Sequence, residues 1–182
     1  SNVLAYHQEM LKLIKQNRQL IESIDSISLD VDAGKTQQES LVGVSDRTIN
    51  YYEDSYFSII SETSFPFYKL GAGDATDVGR ILSEKTFKSI GMKHPFILLT
   101  NPHALKLLRE IGYKTFHPLI DETYDSVTDP VIRICMIINE VKKLCALEGD
   151  DLKHFLSKAK KICDYNFHHL LSKKTFHYNL IP

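Results

Sequence analysis

The apolar positions change their period several times along the chain, and each change marks an expected element. In residues 3–24, Leu4, Leu11, Ile14, Ile21 and Ile24 recur at spacings of three or seven while Gln, Lys and Arg take the other side, which predicts an amphipathic helix. The pattern then collapses into Ser, Asp, Gly and Gln over residues 25–48, so a long loop is expected, with one short strand around 27–31. "YFSIISET", residues 56–63, is aromatic and β-branched and ends on polar groups, the form of a buried strand whose carboxyl end carries Ser61, Glu62 and Thr63. "SFPFYKLGAGDATDVGR" follows and reads as an irregular loop.

A helix is expected from Ser83 to about Lys93, since Ser caps helix starts and Glu84 complements the positive helix end. "PFILL", residues 95–99, is a short continuous apolar run after a proline, as a central parallel strand requires. In "NPHALKLLREIGY", Asn101 is placed to cap, Pro102 to take the first helical position, and Gly112 to stop the helix. "KTF", residues 114–116, reads as a third, minimal strand, and two helices are expected over residues 131–147 and 152–171. Strand, helix, strand, helix, strand is the order of a parallel sheet with crossover helices. The fold class is therefore α/β: a single Rossmann-like domain with a parallel sheet flanked by helices, an N-terminal helix and a helical C-terminal part. The division expected is an N-terminal helix and long loop over 1–50 and the Rossmann-like domain over 51–182.

Composition narrows the class without naming a function. The 182 residues are 43% hydrophobic and 25% charged with a net charge of -1, the balance of a globular protein rather than of a polyanion binder or a disordered tail. Cys135, Cys145 and Cys163 lie in apolar, helix-like surroundings with no CxxC pair, so three buried thiols in a reducing compartment are expected. Lys12, Lys15 and Arg18 interrupt the first apolar cluster, which leaves no signal-peptide core and no membrane span there; a cytoplasmic protein is the expectation. No GxSxG, P-loop or GxGxxG occurs, which removes the usual signals of serine hydrolases, classical NTPases and dinucleotide enzymes.

The candidate chemistry gathers where an open α/β sheet binds ligands, beyond the carboxyl ends of its strands. Glu62 ends one strand, and Ser83, Glu84, Lys85 and Thr86 open the next helix, whose unpaired N–H groups and dipole favour an anion. Lys85 supplies a point charge for phosphate, Arg80 a second cation, and a nearby carboxylate accepts hydrogen bonds from sugar or ribose hydroxyls. That combination suits a nucleotide-diphosphate sugar. The plainer reading is helix capping by Ser83, a solvated Lys85, and a Glu62 carboxylate held by a nearby backbone N–H. His94, before Pro95, is expected to be a neutral core histidine, His168 and His169 are not expected to bind metal, and "DETYD" reads as an acidic loop and helix start.

"YFSIISET" followed by "LSEKTFKSIGMKHPFILL" resembles the C-terminal half of α-1,3-fucosyltransferase-type enzymes. In that family a strand ending in a Glu-containing triplet precedes Thr-Glu-Lys, an apolar helix, a Gly and a Pro, and a further strand. Glu84 and Lys85 match its Glu-Lys, and Gly91 and Pro95 match its Gly and Pro if one extra residue lies between them. Ser83 replaces the family's Thr, the Phe-Glu-Asn triplet appears as Ser-Glu-Thr, and the match spans roughly residues 56–99. A second likeness, through the order "SEKTFK", "HPFI", "GYKTF" and the following acidic stretch, is to uncharacterised proteins of phage and marine viral sequences. The first resemblance implies the donor-binding domain of a two-domain GT-B glycosyltransferase. By that resemblance Lys85 would bind the donor phosphates and Glu84 would lie close to the donor sugar; with the residue reading above, Ser83, Thr86 and Arg80 join the expected phosphate site and Glu62 joins Glu84 as an expected catalytic carboxylate.

The function expected is thus a glycosyltransferase-like domain that binds a nucleotide-diphosphate sugar for transfer to a glycan or modified nucleic-acid acceptor, with no metal or other cofactor required. The alternative is a non-catalytic Rossmann-like interaction domain of a larger assembly. No membrane partner is expected, and a homo-oligomer or a further N-terminal domain is left open.

Overall fold

The computed structural model describes residues 46–62 and 82–172, and seven helical positions between residues 8 and 19. Those seven are exposed; Leu11, expected on the apolar side of an amphipathic helix, is 55% exposed, and the rest of that side lies outside the described residues, as do the expected strand at 27–31 and the loop at 64–80. Among the described residues the architecture is mixed α/β. Besides the helical positions between residues 8 and 19, five α-helices accompany a two-stranded parallel sheet.

Helix α1 (Asp46–Glu53) begins in the last three positions of the expected loop and runs across residues 50 and 51, where the sequence reading divided the chain. Its sequence is a weak helix former, and docking decides the outcome. Tyr52 stands edge-on to His94 with ring centroids 5.2 Å apart, and its hydroxyl lies 3.4 Å from Ser89 Oγ.

Strand β1 (Ser58–Ser61) pairs in parallel with β2 (Phe96–Leu99), Ser58 against Phe96 through Ser61 against Leu99. The Pro95-led run is buried, as expected, with Phe96, Ile97 and Leu98 all inside, but among the described residues it pairs with β1 alone and is not a central strand; β1 alternates and leaves Ile59 exposed. Between the strands, α2 (Glu84–Gly91) starts at an extended Ser83 whose Oγ accepts the Lys85 N–H, the cap expected from sequence. His94 N–H closes the helix end on Ser89 O at 2.9 Å.

The start of the next helix differs from expectation. Helix α3 (Ala104–Glu110) begins two residues beyond Pro102, after His103, which adopts a left-handed φ of 67° and gives no side-chain cap. Asn101 is buried, and the N-cap position falls to His103 instead. The cap comes from Asp125 on a 3₁₀ turn (Thr123–Ser126), which accepts Leu105 N–H at 2.9 Å and Lys106 N–H at 3.0 Å. Asp125 O also accepts His103 N–H at 2.7 Å, so the turn and the helix start are fixed together. Gly112, at φ 97°, ends the helix as anticipated.

The expected third strand at residues 114–116 does not form. Asn166 occupies the place of a neighbouring strand: its Oδ1 accepts Lys114 N–H and its Nδ2 donates to Lys114 O, each at 2.8 Å. Phe116 N–H goes to Glu122 Oε1 at 2.6 Å, so side chains satisfy the segment that a ladder would otherwise satisfy.

Helix α4 (Pro130–Cys145) is capped by Asp129 with Pro130 in its first turn, and α5 (Gly149–Ser172) follows. Helix α5 packs on α2 and α4 packs on β2, which closes the core around Ile97, Leu105, Leu108 and Phe116. The thiols are not uniformly buried: Cys163 is inside, Cys135 half-buried and Cys145 exposed. No described helix is long and apolar enough to cross a membrane.

Candidate functional site

Two stretches separated by more than twenty residues meet at the carboxyl end of β1. Glu62, only 4% exposed, directs its carboxylate at the start of α2: Oε1 accepts Ser83 N–H at 2.9 Å and the Thr86 hydroxyl at 2.6 Å, and Oε2 accepts the Ser83 hydroxyl. Every donor comes from the first turn of α2 or its cap. A buried carboxylate with this set of bonds locks strand end to helix start, and the positive helix end rewards its charge.

Lys85 projects the other way. It is exposed, and its ammonium reaches back over the strand end to Ser61 O at 3.0 Å. That carbonyl is a neutral acceptor, so an anion in reach would be the stronger partner. Glu84, half-buried in the first helical position, completes the cluster. Arg80 lies outside the described residues. Ser83, Glu84, Lys85, Thr86 and Glu62 are therefore brought together; Glu62 and Thr86 face inward, and Lys85 outward.

Sequence reading missed two features. Thr100 and Asn101, directly after β2, are buried polar residues at the same carboxyl edge, a placement that the apolar run before them could have suggested. An open groove of about 290 Å³ also runs along β1, bounded by Tyr52 of α1 and by Lys85, Lys88 and Ser89 of α2.

The other polar candidates turn to structural tasks. His94 is buried, with Nδ1 2.9 Å from Ser58 Oγ and Nε2 3.0 Å from Ser55 O, the carbonyl fixing a proton on Nε2. Burial lowers its pKa from the ordinary histidine value, so the ring is neutral near pH 7, as expected for a core histidine. In the acidic stretch, Glu122 accepts Thr115 Oγ1 at 2.7 Å and Arg109 Nη1 at 3.0 Å, and Asp125 caps α3. His169 holds Ile111 O at 3.0 Å. Among the described residues no group of three or more His, Cys, Asp or Glu side chains converges on a common point for a metal.

The chain matches no protein-family model, no curated protein and no solved structure.

Proposed function

We propose that this chain is a glycosyltransferase-like donor-binding domain that takes a nucleotide-diphosphate sugar at the start of α2. One observation carries the reading: Glu62 holds Ser83 and Thr86 while Lys85 stays exposed at the same carboxyl edge of a parallel strand pair. In such a site the helix N-terminus and Lys85 bind the diphosphate, Arg80 adds a second cation, and Lys85 neutralises the charge that develops as the diphosphate departs. Glu84 accepts hydrogen bonds from sugar hydroxyls and steadies positive charge at the anomeric carbon. Glu62 serves this chemistry as a positioning residue, because its oxygens are committed to the turn that presents the other groups. The acceptor is a glycan or modified nucleic acid.

Thermal unfolding with UDP, GDP and their sugars tests the proposal. A nucleotide at a hundred times its dissociation constant stabilises the fold by about 2.7 kcal/mol. Lys85→Ala removes that gain and Lys85→Arg restores part of it. Absence of any shift, or a shift that survives Lys85→Ala, overturns the assignment.

A second reading, a non-catalytic interaction domain, is favoured by one feature, the exposed side chains of Ile59 on β1 and Tyr56 just before it.

A further inference from the structure

Strand β1 has two unlike edges. Ser58 N–H donates to Pro95 O at 2.8 Å and Glu62 N–H to Leu99 O at 3.1 Å, so the even-numbered residues bond to β2. A parallel ladder then turns the N–H and C=O groups of Ile59 and Ser61 the other way. Among the described residues one of these four groups is taken up, the Ser61 carbonyl by Lys85. Ile59 is 52% exposed although Ile97, its partner across the ladder, is 0% exposed. Among the described residues no further strand pairs with this edge of β1, and unbonded edge groups are a template for another strand.

The groove of about 290 Å³ lies along this edge, and among the described residues its lining contains Lys85 and Lys88 and no acidic side chain. We propose that the outer edge of β1 takes an extended, acidic peptide segment of a partner protein as a third strand. Ile59 N–H and C=O and Ser61 N–H supply the main-chain bonds, Ile59 and Tyr52 the apolar contact, and Lys85 and Lys88 the charge selection. Lys85, now resting on a neutral carbonyl, gains a charge-assisted bond by turning to a peptide carboxylate and frees the Ser61 carbonyl for the new ladder. A second copy of the chain is the poorer occupant, since it would bring both lysines against their own counterparts. The proposal shares Lys85 with nucleotide binding at the start of α2 but rests on the edge of β1, and the N-methylated peptide and Lys88→Glu test it without touching that reading.

The test uses the full ¹⁵N-labelled chain and a blocked nine-residue peptide in which Glu alternates with Val and Thr. Fluorescence anisotropy measures binding, and amide hydrogen exchange is followed at Ile59 and Ser61. Binding with slowed exchange at both amides is expected. Binding should vanish when alternate peptide amides are N-methylated or when Lys replaces Glu in the peptide, and should weaken about five-fold in Lys88→Glu. Equal binding of the N-methylated peptide overturns the proposal. So do Ile59 and Ser61 amides already slow in the free chain, which assigns the edge to another segment of this molecule, or slow only at high protein concentration, which assigns it to a second copy.

Discussion

Ser83 gives its backbone N–H to Glu62 at 2.9 Å across 21 positions of chain, so one carboxylate fixes both the end of β1 and the start of α2. Glu62→Ala leaves the Ser83 N–H and the buried Thr86 hydroxyl without their acceptor. The expected loss of stability is about 2–3 kcal/mol, and Glu62→Gln, which keeps one oxygen, costs about 1 kcal/mol. Urea unfolding of both variants measures the difference; a Glu62→Ala chain as stable as the parent would remove the bracing role.

Gly112 sits at φ 97°, and a Cβ built on it would lie 2.7 Å from two ring atoms of His169. The ring cannot withdraw freely, because Nε2 holds Ile111 O at 3.0 Å and Tyr113 packs edge-on against it. Gly112→Ala should therefore cost about 1–3 kcal/mol, from backbone strain and collision together. Adding His169→Ala removes the collision, so the double variant should be more stable than the sum of the single losses, as a double-mutant cycle will show.

These positions differ in how far sequence disclosed them. Ser83 as a cap, the buried run Phe96 to Leu98 and Gly112 as a helix stop were legible because each depends on near neighbours in the chain. The placement of Glu62 and the Ser83–Thr86 turn at one edge was legible too, since the strand and helix patterns put both there, but the hydrogen bonds that join them were not. Asp125 as the cap of α3 was not legible: it stands 20 residues from Leu105 and displaces the local candidates Asn101 and Pro102. The false third strand had the same origin, a side chain on a distant helix satisfying backbone that local pattern assigned to a sheet.

Asn166 gives that last effect a measurable size. It is 1% exposed and bonds both main-chain groups of Lys114 at 2.8 Å. Asn166→Leu fills the space but orphans both groups, at an expected cost of about 2–3 kcal/mol. Asn166→Asp keeps the acceptor for Lys114 N–H and loses the donor to Lys114 O. Exchange of the Lys114 amide should accelerate strongly in Asn166→Leu and less in Asn166→Asp; equal rates in the two variants would contradict the two-bond clamp.

His94 makes stability depend on pH in a defined direction. Burial is the largest influence on the ring and lowers its folded pKa below 6.5, while hydrogen bonds to main-chain groups of Ser55 and Pro95 oppose the shift. The folded state thus favours the neutral ring, and the unfolded chain takes up its proton first as pH falls. The resulting stabilisation is complete above about pH 6.5 and is lost as pH drops from there toward the lowered folded pKa. Geometry agrees with that sign: Nε2 already donates to Ser55 O, Nδ1 accepts from Ser58, and a second ring proton would force the Ser58 hydroxyl to turn round. His94→Gln should be less stable than the parent near pH 7.5, with the gap narrowing by pH 5.5. Urea unfolding at the two pH values decides it, and a gap that stays constant or widens toward acid would exclude a neutral, buried His94.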